Sequence, residues 1–247
     1  MGCILDKTAF EWDFRVTSFD VDTFNRLRLS SLMKYQQEIG GMHLFEFGTT
    51  SERMAKEQNL AFIFTKMNIA IHQLPKAQDK VIMRTWCSGL KGVRFTRNYL
   101  LFDENRKLLT EAKVEVTTLD LKTRKIVRPN EINGFSDFLY NDELENMADA
   151  PTKLTVPDKL EAVYTRPVRF SDIDYNGHVN NTVYADMSLD CLTTEALKNP
   201  LKGFSINFVS EIMPDEAVTL SMAETDSGYT FVGAANDRQS FVARLIF

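Results

Sequence analysis

The two halves of this chain run through the same order of elements, and that repetition limits the fold more tightly than any single motif. Phe19-Asp20-Val21-Asp22 aligns with Ser171-Asp172-Ile173-Asp174 at an offset of 152 residues (174 − 22 = 152). Without a gap, Leu27 then meets Val179 and Leu32 meets Tyr184. Identity across the halves is low, so the shared element order carries the inference. In the first half Phe10-Glu11-Trp12 begins the first strand. Leu29, Leu32, Met33 and Ile39 then recur at helical spacing over residues 27–42. Strands are expected at 62–71, 81–88, 94–102 and 111–119, with turns near Pro75, Gly89-Leu90-Lys91-Gly92 and Asp103-Glu104-Asn105. The last strand alternates cleanly: Ala112, Val114, Val116 and Thr118 share one face, Lys113, Glu115 and Thr117 the other.

The second half repeats this order. A strand at 162–170 leads to a helix at 180–198, followed by strands at 203–211, 217–225, 229–236 and 240–247. Between the halves, residues 129–157 are rich in Asn, Asp, Glu and Pro and read as a linker, with short helix around 142–147. A helix wrapped by an antiparallel sheet, used twice, is the double hotdog architecture, an α+β fold. Each copy has one sheet face to bury, and pairing the copies joins the sheets. The expected organisation is a first repeat at 1–128, a linker at 129–157 and a second repeat at 158–247.

Composition excludes several functions. Hydrophobic residues make up 44% of the 247 and charged residues 26%, an ordinary globular balance. The net charge of −5 argues against an electrostatic grip on nucleic acid. No apolar run reaches the roughly 20 residues of a membrane span. The opening residues lack a secretory pattern. Asp6 stands where the Met1-Gly2-Cys3 start would need Ser or Thr for myristoylation. Cys3, Cys87 and Cys191 are odd in number and widely spaced, so they make neither a disulfide framework nor a metal cluster. The expectation is a cytoplasmic protein with no metal and no cofactor.

The most informative stretch runs from Phe170 to Tyr184, where Asp174, Asn176 and His178 fall within a few residues as a strand gives way to a helix. A helix start presents unpaired backbone N–H groups and a positive dipole end, which suit a carbonyl oxygen gaining negative charge. Asn and His side chains add donors, and a carboxylate can orient a water or take its proton. A plainer reading stands beside this one. Asn176-Gly177 is a strong turn dipeptide, Asp174 or Asn180 can cap a helix, and a lone histidine is more often structural. The packing of all three polar groups beside Asn180 and Asn181 favours function.

The pattern Asp174-x-Asn176-x-His178-Val-Asn180-Asn181-x-x-Tyr184 resembles the signature of the acyl-ACP thioesterases of the plant plastid type and their bacterial relatives. The resemblance covers most of the chain. Val81-Ile-Met-Arg-Thr-Trp86 followed by Arg94-Phe-Thr-Arg-Asn98 is similar to the family's strand pair after the first helix. Thr118-Leu-Asp-Leu-Lys-Thr-Arg-Lys125 is similar to its turn after a later strand. It implies hydrolysis of acyl-ACP to a free fatty acid and the carrier thiol, with Asp174, Asn176 and His178 catalytic. A further family residue, a Glu in the first strand after the second helix, falls on Glu211. Ile212 stands where plant members commonly carry a cysteine, so no thiol nucleophile is expected there. Water is then activated by Asp174 or Glu211, with Glu211 favoured as base and Asp174 as orienting group. Read without the resemblance, Glu211 is a surface carboxylate at a strand end.

The first repeat lacks the constellation: Phe24 stands opposite Asn176, Arg26 opposite His178, and Asp22 alone matches Asp174. One active site per chain follows, with the first half expected to hold the acyl chain. The 18 Phe and 10 Met suit a lipid pocket and suit core packing equally. Lys122, Arg124, Lys125 and Arg128 form a basic cluster that reads equally as a docking patch for an acidic acyl carrier protein or as a solvated turn. Two other functions remain in view: hydrolysis of acyl-CoA, and a non-catalytic acyl-CoA-sensing hotdog module. The second ranks lower because no basic helix-turn-helix precedes Trp12. The reading is compatible with a homodimer.

Overall fold

The computed structural model describes residues 2–6, 8–129 and 140–247. The part of the expected linker at 130–139 lies outside the described residues. In the first half, β1 (Gly2–Asp6), β2 (Ala9–Arg15), α1 (Leu29–Glu46), β3 (Leu60–Ile71), β4 (Lys80–Lys91), β5 (Arg94–Asp103), β6 (Leu108–Asp120) and the short β7 (Ile126–Val127) follow in order. The second half supplies β8 (Glu161–Pro167), α2 (Val183–Leu189), β9 (Gly203–Phe208), β10 (Ala217–Thr225), β11 (Gly228–Ala235) and β12 (Arg238–Ile246).

All of these strands join one sheet in the order β1-β2-β4-β5-β6-β3-β9-β12-β11-β10-β8, with β7 on β6. From β3 outward the first half reads β3-β6-β5-β4-β2, and from β9 outward the second reads β9-β12-β11-β10-β8. The two runs are the same strand sequence, joined by the antiparallel β3–β9 pair, in which Met67 faces Ile206. This is the α+β double hotdog arrangement that the repeat implies. Helix α1 packs on β2, β4 and α2, while α2 packs on α1 and β12. The shared core lies between helices and sheet and includes Leu32, Met33, Ile39, Phe95, Tyr184, Phe204 and Phe241. Burying side chains of this size is the main force holding the two layers together. Among the described residues no helix is long and apolar enough to cross a membrane.

Four expectations need correction. Phe10-Glu11-Trp12 lies in the second strand, since Gly2–Asp6 forms an edge strand paired with β2. Helix α1 begins later and runs on to Glu46, where left-handed Gly48 (φ 77°) follows its end. The second helix, expected over 180–198, covers only Val183–Leu189. Thr193 Oγ1 accepts a bond from Ala196 N–H and starts a separate short turn at Ala196–Lys198. Residues 142–147 form no helix, because the sheet's outer face uses their polar groups. Asp142 accepts from Gly89 N–H, Asn146 donates to Ala112 O, and Met147 N–H donates to Glu111 at 2.8 Å. Farther on, Leu154 N–H donates to the Asn207 side chain at 2.7 Å. The described part of the linker, from Asp142 to Leu154, therefore lies across the sheet from β4 to β9, satisfying buried polar groups that would otherwise be costly.

Candidate active site

The Asp174 turn has a twin in the first half, built with the same bonds at the same 152-residue offset. Ile173 bridges Val179, and Val21 bridges Leu27. Asp174 N–H donates to His178 O at 3.0 Å and Asp22 N–H to Arg26 O at 2.8 Å. The aspartate Oδ1 accepts from Asn176 N–H at 2.8 Å in one copy and from Phe24 N–H at 2.8 Å in the other. Each corner needs a left-handed residue, supplied by Gly177 (φ 83°) and Asn25 (φ 57°). Nothing lies within 4 Å of a Cβ built on Gly177, so backbone conformation and not space favours glycine there.

Within the second copy the Asp174 carboxylate braces its own turn. Besides Asn176 N–H on Oδ1, Oδ2 accepts from Asn180 Nδ2 at 3.3 Å. His178 lies beside it, with Nδ1 4.0 Å from Asp174 Oδ1 and 3.3 Å from Val179 O. Asn176 is exposed, while Asp174 and His178 are half-buried, so the turn presents the amide and imidazole at the surface. The helix start expected at Asn180 falls instead at Val183, with Thr182 as its cap residue. Asn180 consumes the entry: its Oδ1 accepts from Thr182 N–H and Oγ1 at 2.9 and 2.7 Å, and its carbonyl accepts from Val183 N–H. Asn180 is thus engaged within the helix entry, while the exposed Asn176 and half-buried His178 side chains carry N–H groups at the turn.

Glu211 lies beyond the end of β9 in a loop, not in the strand where the resemblance placed it. The loop is tied to the turn, because Val179 N–H, next to His178, donates to Ile212 O, next to Glu211, at 2.9 Å. Arg238 from β12 clamps the loop: its Nη2 donates to Glu211 O at 2.7 Å and to the Glu216 carboxylate, and its Nε donates to Ser210 Oγ at 3.0 Å. Glu216 in turn accepts from Met213 N–H at 2.8 Å. The Glu211 side chain is held differently. Arg124 Nη2 approaches Oε1 and Oε2 at 3.4 and 3.3 Å, across 87 residues of sequence. Beneath the site lies buried Tyr184, stacked on Phe241 at 4.6 Å. Burial pushes its phenol above the usual range, and the Glu211 and Asp174 carboxylates add to that effect.

The structure thus gathers Asp174, Asn176, His178 and Glu211 at one end of the second half. Of the basic cluster, Lys122, Arg124, Lys125 and Arg128 are all exposed, and Arg124 reaches Glu211. Arg238 was not legible as a site residue, since nothing local marks an arginine 27 residues after the glutamate it pins. Cys87 and Cys191 are both buried free thiols. Burial raises the Cys87 thiol, and burial with the Asp190 carboxylate pushes Cys191 up to about 12. Neither has the character of a nucleophile. In the first half, Arg26 fills the place of His178 with a structural contact. It grips Asp22 at 2.9 Å, lies over the Phe24 ring at 4.5 Å, and donates to Leu197 O at 2.7 Å in the second half.

Comparison with known proteins adds to this geometry. Residues 7–133 match the family model described as the acyl-ACP thioesterase N-terminal domain, and residues 157–241 match that of the acyl-ACP thioesterase C-terminal domain. The chain is 26% identical over 249 residues to the chloroplastic palmitoyl-acyl carrier protein thioesterase of Arabidopsis thaliana, covering 95% of this chain and 60% of that protein. It is 25% identical over 243 residues to the chloroplastic dodecanoyl-[acyl-carrier-protein] hydrolase of Cinnamomum camphora, covering 91% of this chain. It spans 62% of that relative's length. Its fold is shared with an acyl-ACP thioesterase from Bacteroides thetaiotaomicron, with TM-score 0.88, 21% identity and 97% coverage of both chains. It is also shared with the 12:0-ACP thioesterase of Umbellularia californica, with TM-score 0.80, 18% identity and 96% coverage of both.

Proposed function

The chain belongs to the acyl-ACP thioesterase family, and on that premise we propose that it hydrolyses acyl-ACP, releasing a free fatty acid and the carrier's thiol. Water attacks the thioester carbonyl carbon while its proton passes to the Glu211 carboxylate. The carbonyl oxygen gains negative charge and is held by the Asn176 amide and the His178 imidazole. The C–S bond then breaks, and the departing sulfur takes the proton back from Glu211. The observation carrying this assignment is the contrast between the two carboxylates. Both oxygens of Asp174 accept bonds within its own turn, which suits an orienting group. Glu211 is exposed and touched through its carboxylate by one long Arg124 contact, which leaves it able to take a proton.

The first half holds the acyl chain on this reading, because it carries the longer helix and lacks a second copy of the site. The exposed Lys122, Lys125 and Arg128, in the same basic cluster as the Arg124 that reaches Glu211, suit an acidic carrier protein. Free-thiol release from a panel of acyl-ACPs and acyl-CoAs of varied length tests the reading. Faster release from acyl-ACP supports it, and faster release from acyl-CoA replaces the carrier with the coenzyme. Acyl-CoA binding without thiol release from any substrate would identify a sensing module instead.

A further inference from the structure

We infer that Arg124 is a positioning residue: an arginine of the first half that orients the Glu211 carboxylate of the second. The inference rests on the proposed role of Glu211 and goes one step beyond it, since it makes the site a joint product of both halves. Two independent observations carry it.

One is the contact itself. Arg238 pins the Glu211 backbone through its carbonyl, and Arg124 meets the carboxylate, with one nitrogen lying between its two oxygens at 3.3 and 3.4 Å. Such a contact sets the direction of the carboxylate without burying it, as a base awaiting water requires.

The other is the backbone under Arg124. The turn between β6 and β7 is tightly built: Asp120 Oδ1 accepts from Lys122 and Thr123 N–H at 2.9 and 2.7 Å, and Asp120 O accepts from Arg124 N–H at 2.8 Å. Leu121 N–H donates to Asn59 O at 2.7 Å, fixing the turn against the first-half body. This geometry forces Arg124 into the left-handed region, at φ 56°. Glycine or asparagine serves such a corner with least strain. An unfavourable residue at a strained corner points to a task for its side chain, and the one ion pair formed there among the described residues is with Glu211.

The backbone gives the test its edge. Arg124→Gly relieves the left-handed strain, so it is expected to keep or raise Tm while lowering kcat by about 10- to 100-fold. KM should change little, and Arg124→Lys should recover part of kcat. The measurement is steady-state hydrolysis of the acyl-ACP the wild type turns over fastest, for Arg124→Gly, Arg124→Lys, Glu211→Gln and the Arg124→Gly/Glu211→Gln double variant. If Arg124 acts through Glu211, removing it costs nothing further once Glu211 is gone. An equal additional loss in the double variant overturns the proposal, as does wild-type kcat in Arg124→Gly. Wild-type turnover in Glu211→Gln alone overturns the reading of Glu211 as base, and the positioning role with it.

Discussion

Leu74 stands in the first half where Glu211 stands in the second. Leu27 N–H donates to Pro75 O at 2.8 Å, and its counterpart Val179 N–H donates to Ile212 O at 2.9 Å, so the residues just before those carbonyls correspond. Lys76 N–H on Asp79 and Met213 N–H on Glu216, both 2.8 Å, repeat the match three residues apart. Leu74, Phe24 and Arg26 thus replace Glu211, Asn176 and His178 on the same backbone, and Asp22 alone of the four is shared. The turn is a structural unit of the fold, and the chemistry we propose depends on the side chains mounted on one of its two copies.

That division predicts what happens when the mounted groups are removed. His178→Ala and Asn176→Ala should each lower turnover by about 10²–10³ with the fold intact, because each deletes a donor to the developing oxyanion. Thiol release per folded molecule, with circular dichroism as the control, checks this. Near-normal turnover in both would remove the proposed oxyanion site.

Arg26→Ala should show the opposite balance. Its guanidinium joins Asp22 to Leu197 O and so ties the first-half turn to the second half. Loss of these charge-assisted bonds should cost about 1–3 kcal/mol of stability. Activity per folded molecule should be close to that of the wild type. Inactivation as deep as that of His178→Ala, at unchanged Tm, would contradict the asymmetry between the halves.

Arg238→Ala should loosen the loop that carries Glu211. The expected result is a drop in kcat of about tenfold or more with a smaller change in KM, since the carboxylate is misplaced and binding groups remain. A change confined to KM would assign Arg238 to substrate binding.

A variant with Cys3, Cys87 and Cys191 all replaced by Ser or Ala should keep most of its activity once folded. Burial raises the Cys87 thiol and pushes Cys191 up to about 12, far from a thiolate at neutral pH. Direct attack by water needs neither. An acyl group trapped on a cysteine, or a folded but inactive variant, would restore a covalent route.

The sequence was most informative where local chemistry repeats. The offset at Asp22 and Asp174 predicted a duplicated fold, and the alternation of Ala112, Val114 and Val116 predicted β6, because both signals are carried by neighbouring residues. The second helix was over-read for a reason the structure makes visible. The halves are offset by 152 residues at the turn but by 137 at the following loop (212 − 75 = 137). Most of this 15-residue difference (152 − 137 = 15) falls where one half has an 18-residue helix and the other a 7-residue one, and β3 with 12 residues is also longer than β9 with 6. Apolar spacing alone does not reveal that Thr193 begins a new turn. The short helix expected at 142–147 does not form, because Met147 N–H is satisfied by Glu111 and, farther on, Leu154 N–H by Asn207, a long-range demand that local propensity does not report. Arg124 was legible as part of a basic cluster, and its contact with Glu211 was not, since the pairing depends on how the halves join.

Glu211→Gln tests the central claim most directly. The side chain keeps its shape, its backbone remains pinned by Arg238, and only the proton-accepting carboxylate is lost. Thiol release from acyl-ACP under saturating substrate is predicted to fall by about 10²–10⁴ relative to the wild type, with Tm little changed. Wild-type turnover in the folded Glu211→Gln variant would contradict the assignment of Glu211 as the base.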